Sequence, residues 1–119
     1  MRDKYHHSQG VRIGNTIRIA GQGGWGETLD IPDDPESQIR NAFESIARVL
    51  AEAGSSWADV VEITSYHVGE IDEAVLATLV EELRKSCPSH QPLWTVLGVE
   101  RLAFPQMKIE ITATAILPE

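Results

Sequence analysis

A single cysteine, Cys87, in 119 residues leaves no intrachain disulfide to form, which fits a reducing cytosol. Basic residues are few: Lys and Arg number 10 against 18 Asp and Glu, a net charge of −8. No Lys/Arg cluster stands out, so a counterion-displacing grip on a polynucleotide is not expected. The same acidic balance discourages small anions unless a local arginine overrides it. No apolar run approaches the roughly 20 residues that span a bilayer, and the opening MRDKYHHSQG has no apolar core behind its two basic residues, unlike a secretory signal. Linker-like stretches are missing too. The expectation is one domain over residues 1–119, cytoplasmic, with no membrane and no nucleic-acid partner.

Glycine is dense only at Gly21-Gln22-Gly23-Gly24-Trp25-Gly26. That run leads into an acidic loop without lysine and matches neither the P-loop nor the dinucleotide fingerprint, so it reads as backbone bending beside a close neighbour. Metal sites are also thin. His6 and His7 are adjacent and point to opposite faces if extended, and Cys87 has only Lys85 as a nearby charge.

What the chain does contain is clear periodicity. Val11, Ile13, Ile17 and Ile19 alternate with polar residues around Gly14-Asn15, a hairpin signature. Asp34-Pro35-Glu36 opens a helix over 35–53, with Ile39, Phe43, Ile46, Leu50 and Ala53 on one face and Gly54 as its stop. VVEITSYHV, Val60 to Val68, is β-branched and aromatic, hence a strand. A second helix starts near Glu70 to Asp72, packs Val75, Leu76, Leu79 and Leu83, and ends on Arg84-Lys85. His90, in the connector that follows, reads as solvated.

Two further strands, Trp94 to Val99 and Met107 to Ile116, flank the Phe104-Pro105 loop and read as an antiparallel or edge-wise pair. In the second, Met107, Ile109, Ile111, Ala113 and Ala115 alternate with Lys108, Glu110, Thr112 and Thr114. Glu110 therefore projects from the polar face, toward solvent, a pocket or a subunit interface. The order β-β-α-β-α-β-β puts both helices on one side of a mixed sheet. The other face, carrying Glu110, Thr112 and Thr114 beside residues such as His67 or Trp94, is expected to meet another subunit.

SQGVRIGNTIRIAGQ, NAFESIARVLAEAGSSWADVVEITSYHV and GVERLAFPQMKIEITATA together resemble the YjgF/RidA (reactive intermediate deaminase, L-PSP) family over nearly the whole chain. The resemblance implies an α+β, chorismate-mutase-like fold and a homotrimer whose sheets line a central barrel. It also implies three small-molecule clefts between subunits, where the deaminating members hydrolyse enamines and imines without a cofactor or metal. Glu110 in KIEI matches the family's pocket glutamate and is the candidate catalytic residue. Gly21 falls in the pocket-lining loop, and His7 stands at the position of an N-terminal pocket tyrosine. Ala77 stands at that of a helical asparagine. The Pro-x-Arg-Ser/Thr anchor for a substrate carboxylate reads Pro92-Leu93-Trp94-Thr95 here, so Trp94 replaces the arginine.

That exchange forfeits charge-assisted hydrogen bonds worth about 1.5 to 3 kcal/mol. Efficient turnover of 2-iminobutanoate or 2-aminoacrylate is therefore not expected. Arg12, Arg18 or Arg101 could restore a charge, but spacing does not place them. Trp94 is either the wall of an aromatic-lined pocket or interface packing, and His67 either lines that pocket or is a satisfied structural histidine. Two functions remain open: a cofactor-free enamine/imine hydrolase, or a non-catalytic trimer that binds a metabolite or scaffolds partners.

Overall fold

Gly14, at φ 60°, turns the chain between β1 (Gly10–Ile13) and β2 (Thr16–Gly23), which pair antiparallel as the hairpin signature requires. The structure is a computed structural model and describes residues 8–25 and 30–118. The Asp34 carboxylate accepts from Ser37 N at 2.9 Å and opens α1 (Pro35–Glu52), with proline in the first turn, where its missing N–H costs no helical bond. Gly54, at φ 80°, lies just past its end.

A short 3₁₀ turn (Trp57–Asp59) stacks Trp57 on Phe43, ring centroids 4.8 Å apart, and leads into β3 (Val60–Val68). Asp72 caps α2 (Glu73–Ser86) by accepting from Val75 N at 2.9 Å. β4 (Leu93–Val99) and β5 (Ile109–Ile116) complete a five-stranded mixed sheet in the order β1-β2-β5-β3-β4.

That order corrects one expectation. β4 and β5 do not pair: β5 runs antiparallel between β2 and β3, and β4 lies parallel to β3 at the far edge. The α2 crossover forces β4 to be parallel to its predecessor. β5 inserts centrally because its inward residues Ile109, Ile111, Ala113 and Ala115, all buried, fill the space between Ile17, Ile19 and Ile63 under α1.

The helices share one face and leave the other uncovered. Along that outer face, strand alternation aligns Arg18, Thr114, Glu62 and Leu93, then Thr112, Thr64 and Thr95, then Glu110, Tyr66 and Leu97. Val11, Ile13 and Ile116 also lie there, and Ile13 and Leu93 are 63% and 69% exposed. His67 and Trp94 do not join them, which corrects a second expectation. Both share the pleat of buried Ile63 and point into the helix layer, because they sit an even or register-matched step from it.

Candidate functional site

β2 and β5 lose register between Ile19 and Gln22, where one extra residue on β2 opposes β5. Buried Gln22 holds this bulge by donating from Nε2 to Ala20 O at 3.0 Å and to Gln9 Oε1 at 2.8 Å. Gly21 sits in the bulge, and the Glu110 carboxylate lies directly over it. A Cβ on Gly21 would collide with Cδ and Oε1 of Glu110. Gly21→Ala is therefore expected to destabilise the protein by about 1–3 kcal/mol through overpacking. The loss should shrink in the Glu110→Ala background; equal losses in both backgrounds, by urea denaturation, would show that the contact does not matter.

Glu110 is half-buried and has no ion-pair partner among the described residues, where both ion pairs belong to Lys85. Burial without compensation pushes its carboxyl pKa up. Its proton is therefore held to higher pH than in an exposed glutamate.

The loop before α1 and the approach to β5 are clamped together by Gln38, which is fully buried. Its Nε2 donates to Pro32 O at 2.7 Å and Gln106 O at 3.0 Å, and its Oε1 accepts from Lys108 N at 2.8 Å. Asn41 adds a bond to Gly24 O at 3.0 Å. Lys108 is two residues from Glu110, so α1 sets the height of the carboxylate above the bulge.

Trp94 lies across β3 from β5 and faces the opposite way. Its Nε1 donates to Ser65 Oγ at 2.9 Å, and the same hydroxyl meets His67 Nε2 at 2.9 Å. Ser65 and His67 are buried, and burial lowers the His67 pKa. This chain of bonds orients the indole. Trp94→Phe keeps the ring but strands Ser65 of its donor, for an expected cost of about 1 kcal/mol by urea denaturation.

The folded state resists protonating His67 more than the unfolded chain does. Its contribution is thus present above the ordinary histidine value, about 6.5, and is lost as pH falls. His67→Asn should flatten that acid-side decline; an unchanged slope would contradict the assignment.

The chain as a whole matches the family model described as Endoribonuclease L-PSP, over residues 2–117. It is 30% identical over 110 residues to the RutC family protein YjgH of Escherichia coli K12, covering 92% of this chain and 83% of that protein. It is 29% identical over 112 residues to a protein of the same organism named putative reactive intermediate deaminase TdcF, covering 91% and 84%. The crystal structure of E. coli TdcF with bound serine superposes with a TM-score of 0.84 at 26% identity, covering 94% of this chain and 88% of that one. The chain belongs to the YjgF/RidA family.

The α+β architecture is that of YjgF/RidA structures, and the residues singled out by the family pattern fall in separate places within one chain. Glu110 and Gly21 meet on the outer face. Trp94 and His67 are joined on the helix face. Ala77 is exposed on α2, and His7 lies outside the described residues. His90 is not simply solvated, since its ring Nε2 bonds Val60 O at 2.7 Å. Cys87 is buried, with Sγ donating to Trp57 O at 3.6 Å, and burial raises its pKa, away from thiolate chemistry.

No group of three or more His, Cys, Asp or Glu among the described residues could hold a metal, and no helix there is long and apolar enough to cross a membrane. The sequence reading missed Ser65 and Gln38. A polar residue on the buried pleat of a strand, or on the apolar face of a helix, is the signal that such a clamp exists.

Proposed function

We propose that the protein is a homotrimer whose inter-subunit clefts act as a cofactor-free enamine/imine hydrolase. The observation that carries this reading is Glu110: a desolvated carboxylate without a cation partner among the described residues, seated over Gly21 on the sheet face opposite the two helices. Exposed Ile13, Leu93, Leu97 and Ile116, interleaved with threonines on that face, supply the apolar surface that a second and third copy would bury. Because Trp94 and Glu110 point to opposite sides of one sheet, a cleft containing both takes the indole from one protomer and the carboxylate from the next.

In such a cleft Glu110 accepts a proton from water as the oxygen adds to the C=N carbon. The product of that addition to the protonated imine is a carbinolamine. The carboxyl returns its proton to the nitrogen, and the carboxylate then takes the hydroxyl proton as the C–N bond breaks. A carbonyl compound and ammonia, which takes up that proton as ammonium, are left. With Trp94 in place of the family's arginine, 2-aminoacrylate and 2-iminobutanoate are poor substrates. Release of ammonia from a panel of imines tests this, the acidic ones generated in place from amino acids by an amino-acid oxidase and the neutral ones from amines by an amine oxidase. Turnover of larger or neutral imines above that of 2-aminoacrylate is expected, and brisk 2-aminoacrylate hydrolysis would contradict it.

A second reading, a non-catalytic trimer that binds a metabolite, is favoured by one fact: the indole N–H of Trp94 is already committed to Ser65. Saturable binding with no ammonia from any imine would support it. Nuclease activity, named in the family description, fits poorly with a net charge of −8 and a buried His67 whose protonation is suppressed.

A further inference from the structure

On the helix side of the sheet, the last turns of α2, the connector that follows and Trp94 line an open cleft of about 800 Å³. Its walls are chiefly apolar, from Val80, Leu83, Pro88 and the Trp94 ring, and Arg84 and His90 are among its polar members. Lys85 takes both nearby carboxylates, Glu81 at 3.3 Å and Glu82 at 3.5 Å. Among the described residues Arg84 makes no hydrogen bond or ion pair. The Nε2 of His90 must carry a hydrogen, since it bonds the carbonyl of Val60. This fixes the ring at the cavity edge.

We infer that this cavity binds a carboxylate carried on a flat, apolar ring, with the acid on Arg84 and the ring against Trp94. An unpaired guanidinium offers a planar, two-pronged donor that matches a carboxylate. A phosphate dianion is the weaker candidate, because a single exposed cation on a chain of net charge −8 compensates one negative charge, not two. The ring is demanded by the walls. Trp94 is held by Ser65 at 2.9 Å, so its face is a fixed stacking surface rather than a mobile one. The volume lies within the range of about 300–1,000 Å³ that suits such ligands and leaves a three-carbon acid largely uncontacted.

Arg12, Arg18 and Arg101, the cations the sequence offered, do not line this cavity. Arg84 lies two helical turns beyond Ala77 on the same side of α2. That its guest is also the substrate of the hydrolase rests on the reading given above.

Calorimetric titration with 2-naphthoate and with the neutral 2-naphthamide tests the site, with the Trp94 Nε1–H resonance as a reporter of where the probe sits. The acid should bind about tenfold more tightly than the amide and shift that resonance. Arg84→Gln should bring the two probes to within about twofold, and Arg84→Lys should keep part of the preference. Added salt should weaken the acid and not the amide, a measurement that needs no variant. Equal binding of acid and amide, a ratio unmoved by Arg84→Gln, or no binding of either at millimolar concentration would overturn the inference.

Ammonia release is scored separately. Naphthoate binding that depends on Arg84, without turnover of any imine, leaves the site standing and removes the hydrolase. Turnover with binding indifferent to Arg84 does the reverse.

Discussion

Glu110→Gln lowers ammonia release from the best imine by about 10²- to 10⁴-fold, the usual weight of a positioned proton-transfer group, and does so without destabilising the fold. Glutamine preserves the shape that sits over Gly21 but removes a charge that burial disfavours. The folded state holds the Glu110 proton more tightly than the unfolded chain does. Its contribution to stability is thus complete below the ordinary carboxylate value, about 4.3, and is lost as pH rises through the elevated folded value. Glu110→Gln should accordingly match or exceed the parent in stability at pH 8, and that advantage should vanish toward pH 4. Urea midpoints of both proteins at the two pH values measure it. A variant that loses activity because it unfolds, or one equally active at every pH, would contradict the role assigned to this carboxylate.

Gln38→Ala is expected to be the most destabilising single truncation outside the apolar core, by about 3–5 kcal/mol. Three backbone groups lose their only described side-chain partner at once: Pro32 O, Gln106 O and Lys108 N. The three bonds are part-buried, and each group left without a partner costs up to about 1–3 kcal/mol. For a domain of this size the melting temperature should drop by about 10 °C or more. Activity should fall further than the folded fraction explains, because Lys108 precedes Glu110 by two residues and its amide is what Gln38 holds. A loss below 1 kcal/mol would mean that water replaces the amide without penalty.

Much of the fold follows from local pattern. The run Val60–Val68 is bounded by the 3₁₀ turn and Gly69 and reads as a strand from its β-branched and aromatic residues. α1 carries its cap, its proline and its glycine stop in plain sequence. The alternation of β5 assigns Glu110 to the polar face, where the structure has it, opposite Tyr66.

The strand order was beyond reach, because the pairing of β5 with β2 and β3 joins segments far apart in the chain. Sequential neighbours are only a prior. The facing of Trp94 and His67 depends on register with Ile63, and a one-residue change would reverse it. The resemblance to YjgF/RidA proteins supplied Glu110, Gly21 and position 94 by residue match. It could not supply Arg84, which enters its cavity only through the path of the connector after α2.

The two halves of the proposed cleft, Glu110 over its glycine bulge and Trp94 on its serine and histidine, lie on opposite sides of a single sheet. They work together only if copies of the chain assemble. Sedimentation velocity at micromolar concentration tests this directly. A particle of about 39 kDa is expected, three times the 13.1 kDa chain; a stable 13.1 kDa species would contradict the shared cleft.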